Sequence, residues 1–170
     1  MTTRTPLKLS ADDYRFDDSI GFLVGKLRAF LMQALDATLA DLGITAAQGI
    51  ILIRLGAEPD CTAASLCRRS GYDTGSMTRM VDRLEDKGLI VRERSTEDRR
   101  VIKLLLTESG INLRSQITRR ACEMMEPRLE GFSEEEYVLL KSLLRRVLDN
   151  AIRLAPNEHV FADPADGGSE

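Results

Sequence analysis

The sequence has 170 residues, of which 43% are hydrophobic and 30% charged, with a net charge of −3 at pH 7. This composition allows one domain with a buried core, and no apolar run approaches the ~18 residues that a membrane-spanning helix needs. Since no segment is suited to span a membrane, we expect a cytoplasmic protein without a membrane partner. Three cysteines without a CxxC pair and a single His159 give little basis for a metal site or a catalytic pair, so we expect a protein that is not an enzyme and has no cofactor or metal.

The chain begins with a polar stretch, residues 1–16, which we expect to be a flexible arm without the hydrophobic segment of a signal peptide. A long helix is predicted over residues 17–42, because its apolar residues recur at spacings of three and four. Gly43 is suited to end it. The apolar side of this helix is wide, which indicates that it packs against more than one neighbour.

Three shorter helices follow, each marked by residues typical of helix ends. Thr45 and Thr62 are predicted N-caps, and a tight turn containing Gly71 separates the last two helices. The predicted helices cover residues 46–56, 63–69 and 74–87. The periodicity then becomes extended, and two strands joined by a charged loop form a predicted hairpin over residues 89–94 and 101–106.

Two helices are predicted after the hairpin. The first covers residues 108–131 and should be kinked or interrupted at Pro127. Ser133 begins a capping-box pattern for the last helix, residues 134–154. The acidic tail, residues 155–170, is expected to be disordered.

Residues 45–106 thus contain a short helix, a tight turn, a second helix and a hairpin. This order is typical of a winged helix-turn-helix, and the expected fold class is mainly α with a small β-hairpin wing. The second helix of such a motif enters the major groove of double-stranded DNA.

The helix predicted over residues 74–87 has one apolar face, which must point inward and is formed by Met77, Met80, Val81 and Leu84. Small hydroxyls and arginines on its other side can bond to phosphates or base edges. The candidate DNA-binding residues there are Thr74, Ser76, Thr78, Arg79 and Arg83. A solvated helix with Arg–Asp pairs could carry the same residues, so this helix alone leaves both interpretations open.

The centre of the chain is basic, since residues 68–103 contain 10 basic and 7 acidic residues within an acidic protein. At the tip of the hairpin, Arg99 and Arg100 suit insertion into a narrow, electronegative minor groove. Asp98 is predicted to hold one of these guanidinium groups through a bidentate pair. Alone this loop would be an exposed charged turn, but beside a helix-turn-helix it is interpreted as a wing.

These motifs resemble the MarR family of bacterial transcriptional regulators. The matching stretches are ITAAQ at 44–48, TRMVDRLEDKGL at 78–89, EDRR at 97–100 and LTESG at 106–110. The resemblance implies a homodimer held together by N- and C-terminal dimerisation helices, residues 17–44 and 107–154, around a DNA-binding lobe, residues 45–106. It also implies a pseudo-palindromic operator, with Arg100 in the minor groove and Asp98 orienting it.

The resemblance further implies a repressor that a small aromatic or phenolic carboxylate releases from DNA. The ligand would bind in the crevice between the dimer helices and the DNA-binding lobe. Arg92 matches a position associated with that crevice, and Lys26 and Arg28 on the first helix are further ligand-binding candidates. The other interpretation of each cation, a surface charge or a scaffold salt bridge, is favoured for any single residue.

Two alternative functions remain open at this stage. Some members of the family sense oxidants through a cysteine near the start of the first helix, but this sequence has none there. Cys61, Cys67 and Cys122 are expected to be small packed residues rather than redox sensors. A winged-helix module that binds another protein is the second alternative, and the basic hairpin tip argues against it.

Overall fold

A computed structural model describes residues 7–58 and 60–154 of the chain. It is mainly helical with one two-stranded antiparallel sheet, as the sequence predicts. The predicted acidic tail and the first six residues of the predicted arm lie outside the described ranges. The elements are α1 (Ile20–Leu39), α2 (Ala46–Leu55), α3 (Ala63–Ser70), α4 (Thr74–Asp86), β1 (Ile90–Arg94), β2 (Ile102–Leu106), α5 (Glu108–Met125) and α6 (Glu134–Leu154).

The first helix begins three residues later than predicted. Ser19 is its N-cap, because the Ser19 hydroxyl accepts a hydrogen bond from the backbone N–H of Phe22 at 3.3 Å. The residues before it form a separate 3-10 turn, Phe16–Asp18. At the other end the last turn tightens into a 3-10 helix, and Gly43 ends it with φ of +67°.

The predicted caps of the two next helices are confirmed. Thr45 and Gln48 form a reciprocal capping box at the start of α2, and Thr62 and Ser65 form another at the start of α3. Such a cap satisfies two backbone N–H groups that have no partner inside the helix. Both helices therefore start where the sequence places them.

The interruption at Pro127 is also confirmed. The helix α5 ends at Met125, and the chain continues as the 3-10 turn Glu126–Leu129. Ser133 then begins α6, since its hydroxyl accepts from the backbone N–H of Glu136 while the Glu136 carboxylate accepts from that of Ser133.

One hydrophobic core joins the helices to the hairpin. Ile117 of α5 and Leu39 of α1 are fully buried in it beside Leu52 of α2 and Leu84 of α4. Arg120 reinforces the packing of α5 on α1 by donating hydrogen bonds to the carboxylate of Asp41, which lowers the pKa of Asp41. The central helices and the wing therefore belong to one packed body.

The start of α5 lies unusually close to the start of the wing. A Cβ added at Gly110 would come within 2.0 Å of the backbone oxygen of Leu89, so only glycine fits this position without a shift. The Thr107 hydroxyl donates to the backbone oxygen of Gly88 at 2.7 Å. This junction fixes the direction in which α5 leaves the hairpin.

Two helices keep large apolar surfaces outside the core. No residue of α6 is buried, although Leu140, Leu143 and Leu144 recur on it at helical spacing, and Leu27 and Phe30 of α1 are more than half exposed. Among the described residues, no single helix is long and apolar enough to cross a membrane. The stretches Ile20–Leu42 and Ala46–Leu55 reach that length and composition only together, bent by 82°.

Candidate nucleic-acid interface

The helix-turn-helix consists of α3 and α4, joined by a sharp turn. Gly71 ends α3 with φ of +69°, in the left-handed region that favours glycine. Asp73 caps α4, because its Oδ1 accepts a hydrogen bond from the backbone N–H of Ser76 at 2.8 Å. Hydrogen bonding by Ser76 lowers the pKa of Asp73, so the cap is fully charged at neutral pH and favourably placed at the positive end of the helix dipole.

The two faces of α4 are arranged as its sequence predicts. Met77, Val81 and Leu84 are fully buried, and Met80 is half-buried. The candidate DNA-binding residues lie on the other side: Ser76 is half-buried, and the exposed ones are Thr74, Thr78, Arg79 and Arg83.

Local hydrogen bonds order part of this exposed face. The Thr78 hydroxyl donates to the backbone oxygen of Thr74 at 2.8 Å, and Nη2 of Arg79 donates to the Ser76 hydroxyl at 3.1 Å. Most N–H groups of Arg79 remain available. Within residues 7–58 and 60–154, the Arg83 side chain has no hydrogen-bond or ion-pair partner. The face therefore presents hydroxyls and guanidinium groups that can contact phosphates or bases.

The wing is the hairpin of β1 and β2, in which Arg92 is paired with Leu104. Its tip is closed by Ser95, which is only 5% exposed. The Ser95 hydroxyl accepts from the backbone N–H of Glu97 at 3.3 Å and that of Asp98 at 3.5 Å. Ser95 thus stabilises the turn from inside, and its own backbone N–H donates to Val101 across the hairpin at 2.9 Å.

The predicted ion pair between Asp98 and a guanidinium group is wrong. Oδ1 of Asp98 instead accepts a hydrogen bond from the backbone N–H of Arg100 at 2.9 Å. This is the turn that a short acidic side chain forms with the backbone two residues on. Asp98 therefore positions the main chain of the tip and leaves the Arg100 side chain free to extend.

Both tip arginines are unpaired in the described part of the chain. Arg99 and Arg100 are exposed, and neither guanidinium group has a hydrogen-bond or ion-pair partner there. Two adjacent free cations on an ordered turn are arranged for an external anion, such as the phosphates that line a minor groove.

The wing is fastened to the loop that precedes α3. The backbone N–H of Leu104 donates to the oxygen of Cys61 at 2.8 Å. Beside it, Nζ of Lys103 lies 2.5 Å from Oδ1 of Asp60, a residue with φ of +64°. The Asp60 carboxylate raises the pKa of Lys103. These contacts hold the wing and the helix-turn-helix in one orientation.

Arg92 connects the wing to α4. Its Nη2 lies 2.6 Å from Oδ1 of Asp82, and its Nη1 contacts Glu85. Hydrogen bonding by Asp82, with the charge of Glu85, raises the pKa of Arg92. The guanidinium group thus serves as a scaffold contact in this state, which is one of the two interpretations that the sequence allows.

The other two candidate ligand-binding cations stand on α1. Lys26 and Arg28 are exposed, and Nζ of Lys26 lies 5.4 Å from the centre of the Phe22 ring. In the described ranges no hydrogen bond or ion pair joins either of them to Arg92. Their part in ligand binding stays a prediction.

The three cysteines have different environments. Cys61 is buried and Cys67 half-buried, whereas Cys122 is exposed, so Cys122 is not packed within one protomer as expected. Burial raises the pKa of the Cys61 thiol, which lowers the fraction of reactive thiolate. Cys61 is a core residue at the point where the wing is fastened.

Several residues that shape this surface were not predicted. Asp73 and Ser95 position the start of α4 and the tip of the wing, and Asp60 fastens the wing. A signal for Asp73 was present, because an acidic residue three positions before Ser76 at the start of an apolar-periodic helix is a typical N-cap. For Asp60 and Ser95 the partners come from tertiary structure, so no local pattern identifies them.

The central part of the chain matches a family model. Residues 44–102 match the model of the MarR family. The HTH-type transcriptional regulator SarZ of Staphylococcus haemolyticus (strain JCSC1435) is 31% identical over 101 residues, which cover 59% of this chain and 67% of SarZ. The matched residues contain α4, β1 and the tip of the wing, and they end at the first residue of β2.

Solved structures share the fold. The S. aureus MepR–DNA complex is similar with a TM-score of 0.70 and 25% identity, over 81% of this chain and 99% of the MepR chain. Bordetella bronchiseptica BpsR, whose DNA binding is regulated by 6-hydroxynicotinic acid, has a TM-score of 0.70 and 24% identity, over 80% of this chain and 97% of the BpsR chain. The second likeness concerns the fold alone.

Proposed function

This chain belongs to the MarR family and is a DNA-binding transcriptional regulator, and on that premise we propose that it acts as a homodimeric repressor. The dimer binds a pseudo-palindromic operator in double-stranded DNA. A small aromatic or phenolic carboxylate releases it. Transcriptional regulation, not catalysis, is the activity of the family.

The observation that carries the proposal is the pair of free guanidinium groups at the wing tip. Asp98 fixes the backbone at Arg100, while the wing itself is tied to α4 through Arg92. In the proposed complex, α4 lies in the major groove and Arg100 enters the adjacent minor groove. The remaining contacts to phosphates or bases come from Thr74, Ser76, Thr78, Arg79, Arg83 and Arg99.

The homodimer is supported by the apolar surface outside the core. The helix α6 has no buried residue, yet Tyr137, Leu140 and Leu144 form a continuous stripe along it. A lone helix of this kind is marginal in water, because helices gain most of their stability from packing an apolar face. A second copy supplies that packing when residues 17–44 and 107–154 of one chain pack against the same residues of the other. This arrangement places two DNA-binding lobes side by side.

Ligand control is proposed to act through the ion pairs that join Arg92 to Asp82 and Glu85 of α4. An aromatic carboxylate that pairs with Arg92 would compete with Asp82 and Glu85 for the guanidinium group. Lys26 and Arg28 would supply further positive charge from the dimer helices. The ligand shifts the population of lobe orientations only if it binds one of them more tightly. Regulation of BpsR by an aromatic carboxylate is consistent with this ligand class.

The DNA-binding proposal is tested with fluorescently labelled duplex from the region flanking the gene, titrated at several salt concentrations. We expect Arg100→Ala and Arg79→Ala each to weaken binding by about tenfold or more, which corresponds to one lost charged contact. Arg119→Ala removes an exposed arginine of α5 outside the DNA-binding lobe. It is the charge-matched control, and it should leave binding unchanged when sedimentation shows the variant to be dimeric.

Sedimentation of the same variants distinguishes the loss of a DNA contact from the loss of the dimer structure. Arg79→Ala and Arg100→Ala should remain dimers, because neither residue lies in the proposed dimer helices. The proposal would be overturned if the wild-type chain bound no duplex at low salt and the Arg100→Ala variant behaved in the same way. A wild-type chain that sediments as a monomer at micromolar concentration would overturn the dimer.

A further inference from the structure

The chain ahead of α1 combines apolar side chains with a cluster of carboxylates. Residues 7–18 overlap the predicted arm of residues 1–16 and are called the arm from here on. They expose four large apolar side chains, of which Leu7 and Leu9 are 86% and 87% exposed. The arm also carries four aspartates against two basic residues. The acidic residues are Asp12, Asp13, Asp17 and Asp18.

The helix α6 has a basic face beside its apolar stripe. Lys141, Arg145 and Arg146 line an open depression on one face of the helix together with Val138. Asp149 is the single carboxylate among the lining residues. These positions are offset around the helix from the apolar stripe of α6, because neighbours on a helix face are three or four residues apart.

The cations of this face have few partners inside the protomer. Nζ of Lys141 lies 4.1 Å from the centre of the Tyr137 ring. Within the part of the chain that the structure describes, the side chains of Arg145 and Arg146 have no hydrogen-bond or ion-pair partner. Two adjacent uncompensated guanidinium groups beside an apolar residue favour an occupant that is both acidic and apolar.

We propose that the arm of one protomer lies along the basic face of α6 of the second copy, with Asp12 and Asp13 against Arg145 and Arg146. This inference rests on the proposed homodimer. The 3-10 turn at the end of the arm packs on α1. The arm is therefore attached to a helix whose apolar face the partner would cover. The nine residues before that turn, residues 7–15, reach at most about 30 Å when extended, which is close to the ~31 Å that the 21 residues of α6 span.

The proposal makes the arm a strap between the subunits. Charge complementarity selects this occupant, since the arm has an excess of carboxylates and the face an excess of cations. Attraction between exposed charges of this kind weakens as the salt concentration rises. The strap should therefore stabilise the dimer at low ionic strength and lose that effect at high ionic strength.

A charge-swap mixing experiment tests the strap. One full-length variant carries Asp12→Lys and Asp13→Lys, and the other carries Arg145→Glu and Arg146→Glu. In a strap between subunits, each homodimer has two repulsive contacts, whereas the mixed dimer has two attractive ones. After subunit exchange at low salt, native mass spectrometry should find more than about three-quarters mixed dimers, against about half for free exchange, and about half again at high salt.

The alternatives give distinct results. Differently labelled wild-type chains, and Asp12→Lys/Asp13→Lys mixed with Arg119→Glu, are the controls and should stay at the statistical fraction of mixed dimer. If the arm contacts α6 of its own chain, or if the acidic tail occupies the face, the charge-swap pair also stays at that fraction, and the inference is overturned. A wild-type chain that is monomeric contradicts the proposed dimer instead.

Discussion

Nη2 of Arg92 in β1 lies 2.6 Å from Oδ1 of Asp82 in α4. The same guanidinium group contacts Glu85 one turn further along the helix. Two carboxylates on one helix thus hold a strand of the wing, so the distance between α4 and the wing tip depends on a partly exposed ion-pair cluster. This relationship makes the geometry of the DNA-binding surface open to local perturbation.

We expect Arg92→Gln to weaken operator binding without removing a DNA contact. The loss of an ion-pair cluster that is partly exposed should lower the free energy of unfolding by about 1 kcal/mol or less. The dependence of log K on log salt should keep its slope, because no phosphate contact disappears. Arg100→Ala, by contrast, should reduce the slope by about one, because it removes a cation that neutralises phosphate charge at the minor groove.

Titrating both variants at four salt concentrations distinguishes these outcomes. A reduced slope for Arg92→Gln would mean that Arg92 leaves the cluster and contacts DNA directly. Unchanged affinity would mean that the cluster does not set the position of the wing.

Substitutions of Asp98 distinguish its backbone contact from the ion pair that the sequence favours. Asp98→Asn keeps an acceptor for the backbone N–H of Arg100, so DNA affinity should be equal to or higher than that of the wild type. Asp98→Ala removes the acceptor and loosens the turn, and should weaken binding by about three- to tenfold. The measurement is an equilibrium titration by fluorescence anisotropy. Equal loss in both variants would support an ion pair in the complex.

We expect Gly110→Ala to destabilise the protein through the junction of the wing and α5. The added Cβ would meet the backbone oxygen of Leu89, and a backbone shift of this kind costs about 1–3 kcal/mol. Thermal unfolding at fixed protein concentration should show a clearly lower Tm than Ser109→Ala. Ser109 is exposed on the same turn of α5, so its substitution is the control. Matching Tm values would mean that the junction relaxes freely.

The cap at Asp73 predicts a pH dependence with a defined sign. Hydrogen bonding by Ser76 depresses the folded-state pKa of Asp73 below the ordinary value near 3.8. The ionised cap therefore stabilises the protein fully above that value, and its contribution is lost as the pH falls through the folded-state pKa. Asp73→Asn keeps a capping oxygen without the charge. The difference in Tm between the wild type and Asp73→Asn should be largest near neutral pH and shrink in acid, whereas a constant difference would contradict it.

The helices and the hairpin could be predicted because their signals are local. Thr45 and Thr62 mark helix starts by their own chemistry, and Pro127 cannot continue a helix because it lacks an N–H. The helix α1 begins three residues later than the periodicity predicts, and the local signal for that start is Ser19, a typical N-cap directly before Ile20. The apolar face of α4 followed from periodicity alone.

The functional surface could be predicted only in part. The position of Arg100 on a hairpin tip follows from the motif. Whether Asp98 accepts a hydrogen bond from a guanidinium group or from a backbone N–H depends on the geometry of the turn. The partners of Arg92 lie seven and ten residues back along the chain and come together only when β1 packs on α4. Contacts made by tertiary packing have no spacing that a sequence pattern can reveal.

The unburied helix α6 has a genetic consequence under the proposed dimer. A chain with a defective wing but intact terminal helices would still fold together with a wild-type chain. Since an operator with two half-sites needs two competent lobes, such mixed assemblies would be inactive, and one mutant allele would remove more activity than its share of the protein. Wing mutations such as Arg100→Ala should then be dominant in a cell with both alleles. Mutations that prevent α6 from packing against a second copy should be recessive, because the mutant chain then forms no mixed dimer.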